Sequence, residues 1–98
     1  MSEAEPVHVI VHCHGDDVAM AVMSGIAADA PLNCWTMDRD ETVSFTVHEA
    51  IPLGHKVAVR AIRRGDTVTK YGSPIGIASR DIRAGEHVHI HNLRSTRW

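Results

Sequence analysis

The sequence predicts a mostly-β fold of many short strands with little helix, and two observations support it. Segments rich in Val, Ile and Thr alternate with polar residues at period two, which is typical of half-buried strands. Gly and Pro separate these segments at short intervals, and no long amphipathic helical pattern interrupts them. The 98 residues suffice for one domain with one core. We therefore expect a compact β domain and not a βαβ architecture.

Six segments have the period-two pattern of strands: 7–12, 43–47, 56–60, 68–70, 75–78 and 87–91. Segment 16–22 is ambiguous, because its two aspartates could cap a helical turn. The alternation of Val18, Met20 and Val22 favours a strand or a single turn there. The opening residues are polar and end in Pro6, so we predict a flexible arm over 1–6 and a single domain over 7–98.

An internal repeat supports this organisation. Residues 61–68 and 81–88, offset by twenty positions, both contain the pattern Ile-x-x-Gly-acid-x-Val. The glycine suits a tight turn with positive φ, and the acidic residue after it can accept local backbone N–H groups. A weaker third copy covers 26–32, where Asp29 takes the glycine position.

Charge and cysteine content exclude some functions. The net charge of −2 and the pI near 6.4 argue against a general nucleic-acid binder, which needs a basic excess to neutralise phosphates. Cys13 and Cys34 lack a Cys-x-x-Cys spacing, and the sequence has no long apolar run. These features predict a reduced, cytoplasmic protein without a membrane span.

Histidines are the most informative residues. Eight occur in 98 positions, and His87, His89 and His91 alternate with apolar residues. On a strand, these three imidazoles would share one face at a spacing of roughly 6 to 7 Å, close enough to share a metal ion or an anionic ligand. The same spacing occurs at His12 and His14. The alternative is a solvated edge strand whose histidines bind nothing.

Other polar residues allow two interpretations each. Lys56 and Lys70 could bind an anionic substrate group, although lysines on strands usually reach solvent. Asp16 and Asp17, with the nearby histidines, could form a metal or proton-relay group. Equally, the aspartates could cap backbone amides at a turn. Asn92 could contact substrate or be a turn residue only.

Three motifs carry a family resemblance: Gly54-His55-Lys56, Lys70-Tyr71-Gly72 and the ending His87-Val88-His89-Ile90-His91-Asn92. In this order and spacing they resemble the small subunit, or N-terminal SAF domain, of the altronate and galactarate dehydratase family. That family includes the small subunit of (2R)-sulfolactate sulfo-lyase. The resemblance covers nearly the whole chain and implies that residues 7–98 form a SAF-type β-clip.

The resemblance also implies a function. Such proteins eliminate water or sulfite from a hydroxylated carboxylate or sulfonate, with a divalent metal, commonly Fe(II), that a large partner subunit could mainly hold. This chain would then be a lyase subunit that is inactive without its partner, whose active site it completes. The alternative is a non-catalytic β-clip module that binds a metal or a small anion. Self-association is a further possibility, since small β domains have free strand edges.

Carried over motif by motif, the resemblance assigns candidate roles to individual residues. The catalytic candidates are His55, Lys56, His89 and His91. The substrate-binding candidates are Lys56, Lys70 and Asn92. The metal-ligand candidates are His12, His14, His87 and His89. Trp35, Met37 and Trp98 are predicted to pack in the core or against the partner.

Overall fold

The computed structural model describes residues 6–95, and in this range it contains strands and no helix. The predicted mostly-β fold is therefore confirmed. None of the described residues forms a helix of the length and apolarity that crossing a membrane would require. The first five residues of the predicted arm, and Trp98, lie outside the described range. The strands are β1 (Val9–Val11), β2 (Val18–Ala21), β3 (Pro31–Thr36), β4 (Glu41–Thr46), β5 (Lys56–Ala58), β6 (Thr67–Lys70), β7 (Ser73–Ala78), β8 (His87–Val88) and β9 (Leu93–Arg94).

The described strands form two sheets. The larger has six strands in the order β4-β3-β1-β2-β5-β8, and the smaller has three in the order β6-β7-β9. Only β1 and β3 pair in parallel, and every other described pair is antiparallel. Strand β8 is thus an edge strand that continues the sheet beyond β5.

Two buried apolar clusters form the core, one on each side of β2 and β5. Alternate side chains of a strand point to opposite faces, so neighbouring residues serve different clusters. Ala19 and Val57 pack in the first cluster, whereas Val18 and Ala58 pack in the second. Val88 of β8 also belongs to the second cluster. Fully burying a Val or Ile side chain contributes roughly 1.5–3 kcal/mol, so these strands are fixed in register by their apolar faces.

The internal repeat is visible in the backbone. Gly65 and Gly85 both have φ of 91°. The acidic residue after each glycine accepts a backbone N–H from three residues earlier, at 3.4 Å in the first copy and 2.8 Å in the second. Ile62 and Ile82 exchange two backbone hydrogen bonds of 2.8 Å each. The two copies therefore pair with each other through their isoleucines.

The weaker copy forms a similar pair with a segment that the sequence analysis did not identify. Asp29 has a positive φ of 63°, as its place at the glycine position requires. Ile26 forms a β-bridge with Ile51, and residues 51–57 also read Ile-x-x-Gly-x-x-Val, with Gly54 at φ 83°. The fold thus contains four related turns whose isoleucines meet in two pairs.

Three predictions of local structure are corrected or completed. Segment 87–91 was predicted as one strand, but β8 ends at Val88 and residues 90–92 form a turn. The turn forms because the backbone N–H groups of Asn92 and Leu93 both donate to the His89 carbonyl. Strand β3 was not predicted, because the weaker repeat copy ended at Leu32 and the remainder of the strand was not assigned to an element. The preferred strand at 16–22 is confirmed over Val18–Ala21.

Candidate functional site: a histidine cluster and a lysine pocket

Three histidines from two segments meet at the β5–β8 edge, and we call them the histidine cluster: His55, His87 and His89. One ring nitrogen of each lies within 4.8 Å of the others. His55 Nδ1 and His87 Nε2 share a hydrogen bond of 2.8 Å, and the rings of His55 and His89 stack with centroids 4.5 Å apart. His91 lies beside the cluster, with its ring centroid 5.5 Å from that of His87.

Strand pairing explains why these residues meet. Val57 pairs with His87 in the antiparallel β5–β8 ladder. Extending this register by two residues in each direction brings His55 opposite His89, at the point where both segments leave the sheet. The turn at Gly54 and the hydrogen bond from the His55 N–H to the Pro52 carbonyl, 3.0 Å long, fix the start of β5.

Asn92 holds the backbone of His87 and His89, the two cluster residues that follow β5 in the sequence. Its side chain is 3% exposed; its Oδ1 accepts the His89 N–H at 2.9 Å, and its Nδ2 donates to the His87 carbonyl at 2.8 Å. Both ends of the amide are therefore engaged within the turn. This geometry gives Asn92 the turn role considered from the sequence, while its predicted contact with substrate stays a prediction.

The surroundings of His87 favour its neutral form. Burial lowers the pKa of His87, and the neighbouring His55, His91 and His89 lower it further, while Glu49 opposes the shift. The Glu49 carboxylate also accepts the His87 backbone N–H at 3.2 Å. An imidazole that is neutral near pH 7 can accept a proton or bind a metal ion.

A second group of polar side chains lines a pocket of about 350 Å³, which we call the lysine pocket. Lys56 and Lys70 provide its cationic groups, and the ring of Tyr71 lies 4.3 Å from Lys70 Nζ. The remaining wall is formed by Pro74, Ile75, Leu93 and Ser95. The pocket therefore combines an apolar wall with two ammonium groups.

Lys70 is unusual because only 9% of it is exposed. Within residues 6–95, the ammonium groups of Lys70 and Lys56 make no hydrogen bond and no ion pair. Burial lowers the pKa of Lys70, the charge of Lys56 lowers it further, and Asp16 partly opposes this. Two ammonium groups that form no ion pair repel each other and attract an anionic ligand.

The histidine cluster and the lysine pocket lie on opposite faces of β5. Lys56 follows His55 directly, and adjacent strand residues point to opposite faces. Val57 packs with the first apolar cluster and Ala58 with the second, which confirms the alternation along β5. The predicted catalytic set of His55, Lys56, His89 and His91 is thus divided, with the histidines together and Lys56 beside Lys70.

The two other predicted metal ligands, His12 and His14, lie apart from the histidine cluster. His12 stacks on Tyr71 with ring centroids 4.0 Å apart, and its buried Nδ1 has no hydrogen-bond partner in the described chain. Burial lowers its pKa, and the charge of Lys70 adds to the effect. The exposed His14 donates its backbone N–H to the Asp38 carboxylate. The structure therefore brings His87 and His89 together with His55, and places His12 and His14 elsewhere.

The two aspartates accept hydrogen bonds from backbone amides. Asp16 accepts the N–H groups of Cys13, Tyr71 and Gly72 at 2.9–3.2 Å. Asp17 accepts the Thr69 N–H at 2.8 Å and forms an ion pair with Arg60. These bonds connect the start of β2 to the β6–β7 hairpin, as the capping alternative predicts.

Sequence reasoning missed two residues of these sites. Tyr71 was noted only as part of a motif, yet its ring contacts both Lys70 and His12. Its positive φ of 58°, next to Gly72 at 71°, gives the two-residue hairpin turn between β6 and β7. Glu49 had no sequence signal, because its position near His87 depends on the tertiary fold.

The fold and these two groups of side chains define a small β domain that presents imidazole and ammonium groups. The chain belongs to the family of the altronate/galactarate dehydratase SAF domain, whose sequence profile matches residues 7–96. The family resemblance seen in the sequence is therefore confirmed.

Curated relatives fall into two groups. The chain is 44% identical over 92 residues to the (2R)-sulfolactate sulfo-lyase subunit alpha of Chromohalobacter salexigens, covering 94% of this chain and 98% of that protein. It is 42% identical over 65 residues to the protein of the same name from Paracoccus pantotrophus, covering 66% and 97%. It is 49% identical over 53 residues to the altronate dehydratase of Bacillus subtilis, covering 54% of this chain but 11% of that enzyme. The name "subunit alpha" implies a multi-subunit enzyme, and the altronate dehydratase contains the similar segment within a much longer chain.

Proposed function

We propose that this chain is the small subunit of a two-component lyase and completes an active site on a large partner subunit. The observation that carries the proposal is the lysine pocket, in which the buried Lys70 and the neighbouring Lys56 form no ion pair within the described chain. A carboxylate or sulfonate of the substrate would supply the missing negative charge. The similarity to lyase subunits over nearly the whole chain supports this assignment.

The length match favours a carbon–sulfur lyase that acts on (2R)-sulfolactate. The relatives that this chain covers at 97–98% of their length are sulfo-lyase alpha subunits, whereas it covers 10–11% of the altronate dehydratases. Elimination of water from altronate or galactarate is the second candidate within the same class. All three substrates are hydroxy acids with an anionic group that ammonium ions can hold.

The histidines supply proton-transfer chemistry in this proposal. An elimination β to a carboxylate needs a base for the carbon-bound proton and a cation to stabilise the resulting enolate. His89 and His91 are exposed and His55 is half-buried, so a group from a partner's active site can reach them. Lys56 and Lys70 would hold a substrate anion in the lysine pocket. Because that pocket lies on the opposite face of β5, the partner subunit would supply the base for a substrate bound there, and the histidines would act at a separate contact with the partner.

Exposed apolar residues flank both groups of functional side chains and suit the docking of a large subunit. Ile90, between His89 and His91, is 85% exposed, and Leu53, two residues before His55, is 58% exposed. Tyr71 beside Lys70 is 58% exposed as well. Met37, one of the predicted partner contacts, is also exposed. Burial of these side chains by a partner would exclude water from the reaction.

The test is to tag this chain in its native host, purify it gently, and identify co-purifying chains. The eluate is then assayed with (2R)-sulfolactate, altronate and galactarate. We expect a stoichiometric large subunit together with turnover of one of the three substrates, (2R)-sulfolactate first. A clean single chain without activity, under conditions where the large subunit is expressed, would favour a non-catalytic module that binds a metal or small anion.

Variants identify the residues that act in the complex. Lys70→Met and His89→Ala are each expected to reduce turnover without loss of the partner. His14→Ala serves as the matched control. His14 is an exposed histidine that lies outside the histidine cluster and donates its backbone N–H to the Asp38 carboxylate. The cytoplasmic location, self-association and the divalent metal implied by the resemblance stay predictions.

A further inference from the structure

The histidine cluster has the donor geometry of a transition-metal site. Ring nitrogens of all three residues lie within 4.8 Å of one another, and one pair is 2.8 Å apart. Nitrogens bound to a tetrahedral zinc ion at about 2.0–2.1 Å lie roughly 3.4 Å from each other. Side-chain rotations that move the ring nitrogens by about an ångström would therefore bring all three around one ion. We infer that His55, His87 and His89 of this chain bind one divalent transition-metal ion.

The donor set selects the class of ion. Imidazole nitrogen suits Zn²⁺, Fe²⁺, Co²⁺ and Ni²⁺, whereas Mg²⁺ and Ca²⁺ prefer oxygen ligands. Three protein ligands leave at least one coordination position for water or a substrate oxygen, as in catalytic metal sites. His89 is exposed while His55 and His87 are half-buried, so a bound ion would be open to the surface.

The supporting structure holds the ligands in place without the ion. Asn92 fixes the backbone at both His87 and His89 through its two side-chain hydrogen bonds. The β5–β8 ladder fixes His55 relative to them. In the absence of metal, the His55–His87 contact requires a proton on one of the two nitrogens, and metal binding replaces that proton. Groups that position the ligands typically matter for affinity almost as much as the ligands.

This ligand set differs from the one predicted from the sequence. His87 and His89 are common to both, but His55 replaces His12 and His14. His12 is stacked on Tyr71, and His14 lies at Asp38. The two sets are therefore distinguishable by substitution of His55 and of His14.

The experiment uses the full chain, with any affinity tag removed and bound metal stripped by a chelator. Co²⁺ is titrated in while its visible d–d absorption is followed, Zn²⁺ is used to displace it, and calorimetry gives the stoichiometry. We expect one ion per chain. His89→Ala and His55→Ala should each raise the Kd for Co²⁺ at least about tenfold, and His14→Ala should leave it unchanged.

The proposal is overturned if the wild-type chain shows neither Co²⁺ absorption nor binding heat, or if His14→Ala weakens binding as much as His89→Ala. His89 is exposed, so its alanine variant should fold, which thermal unfolding verifies. Binding is measured without partner or substrate. A failed titration would therefore leave the lyase proposal standing, and an inactive complex would leave the metal site standing.

Discussion

Lys70 is placed at a cost in stability that the proposed function would explain. The fold buries most of Lys70 beside Lys56, and Asp16, the acidic group that acts on its pKa, has its oxygens occupied by backbone amides. Burying a charge without a paired counter-ion is unfavourable. A binding site for an anion explains why such an arrangement is useful.

Replacing Lys70 by Met should therefore stabilise the chain and impair the enzyme. Met has a similar length and no charge, so it fills the same volume without the desolvation cost. A gain of about 1 kcal/mol would raise Tm by roughly 4–8 °C in a domain of this size. Thermal unfolding of the single chain and KM of the complex are the two measurements. A lower Tm for Lys70→Met would show that Lys70 has a stabilising partner.

The lowered pKa of Lys70 also predicts a pH dependence. In the proposed function the protonated ammonium binds the substrate anion, so affinity is fully present below this pKa and is lost as the pH rises through it. The pKa of Lys70 lies below the ordinary lysine value of 10.5, so KM should begin to rise at a lower pH than it would if the binding lysine had an ordinary pKa. The pH profile of KM for the complex measures this effect. Lys70→Met should remove that inflection, and an unchanged profile would contradict the assignment.

At the scale of elements, the four related turns explain most of the fold. Strands β1, β2 and β4 to β7 could be predicted from the period-two pattern of their sequences. In β4 this pattern does not reflect a buried face, since five of its six residues are exposed and Phe45 is half-buried. Strand β3 could not, since Pro31 and Asn33 interrupt its pattern and its pairing partner β1 is distant in sequence. The predicted end of β8 was wrong, because the side-chain hydrogen bonds of Asn92 hold a turn after Val88 and override the alternation of His89 and His91.

At these turns, glycine substitutions separate two contributions to stability: the strain of a left-handed backbone and the steric contact of an added Cβ. Gly65 and Gly85 have the same φ of 91°, but a Cβ at Gly65 would meet no atom within 4 Å, whereas one at Gly85 would lie 2.7 Å from the Thr46 carbonyl oxygen. Gly65→Ala should cost about 1–2 kcal/mol for the left-handed backbone alone. Gly85→Ala should cost clearly more, and urea unfolding of both variants measures the difference. Equal losses of unfolding free energy would mean that the end of β4, at Thr46, shifts to admit the added Cβ without cost.

Asn92 tests the turn that carries His89. Asn92→Ala removes two hydrogen bonds and leaves buried backbone groups unpaired, at an expected loss of about 2 kcal/mol in unfolding free energy. Asn92→Asp keeps an acceptor for the His89 N–H but sets a buried carboxylate oxygen against the His87 carbonyl oxygen, so it should cost at least as much. Denaturant unfolding measures both losses, and a loss near zero for Asn92→Ala would contradict the hydrogen-bond pattern.

At the scale of the whole molecule, the candidate site could be predicted only in part. The spacing of His87 and His89 indicated that they act together, and Lys56 and Lys70 were identified from their motifs. That His55 joins these histidines while Lys56 turns to the opposite face depends on the register between β5 and β8, which the sequence does not reveal. The division leaves this small domain with two candidate functional surfaces and apolar residues beside each.

The most direct measurement is the rate of sulfite release from (2R)-sulfolactate when increasing amounts of this chain are added to a fixed amount of the isolated large subunit. We expect no release from either chain alone and a rate that saturates at a fixed ratio of the two. A large subunit that is equally active alone, or a stable complex that is inactive towards sulfolactate, altronate and galactarate, would contradict the account.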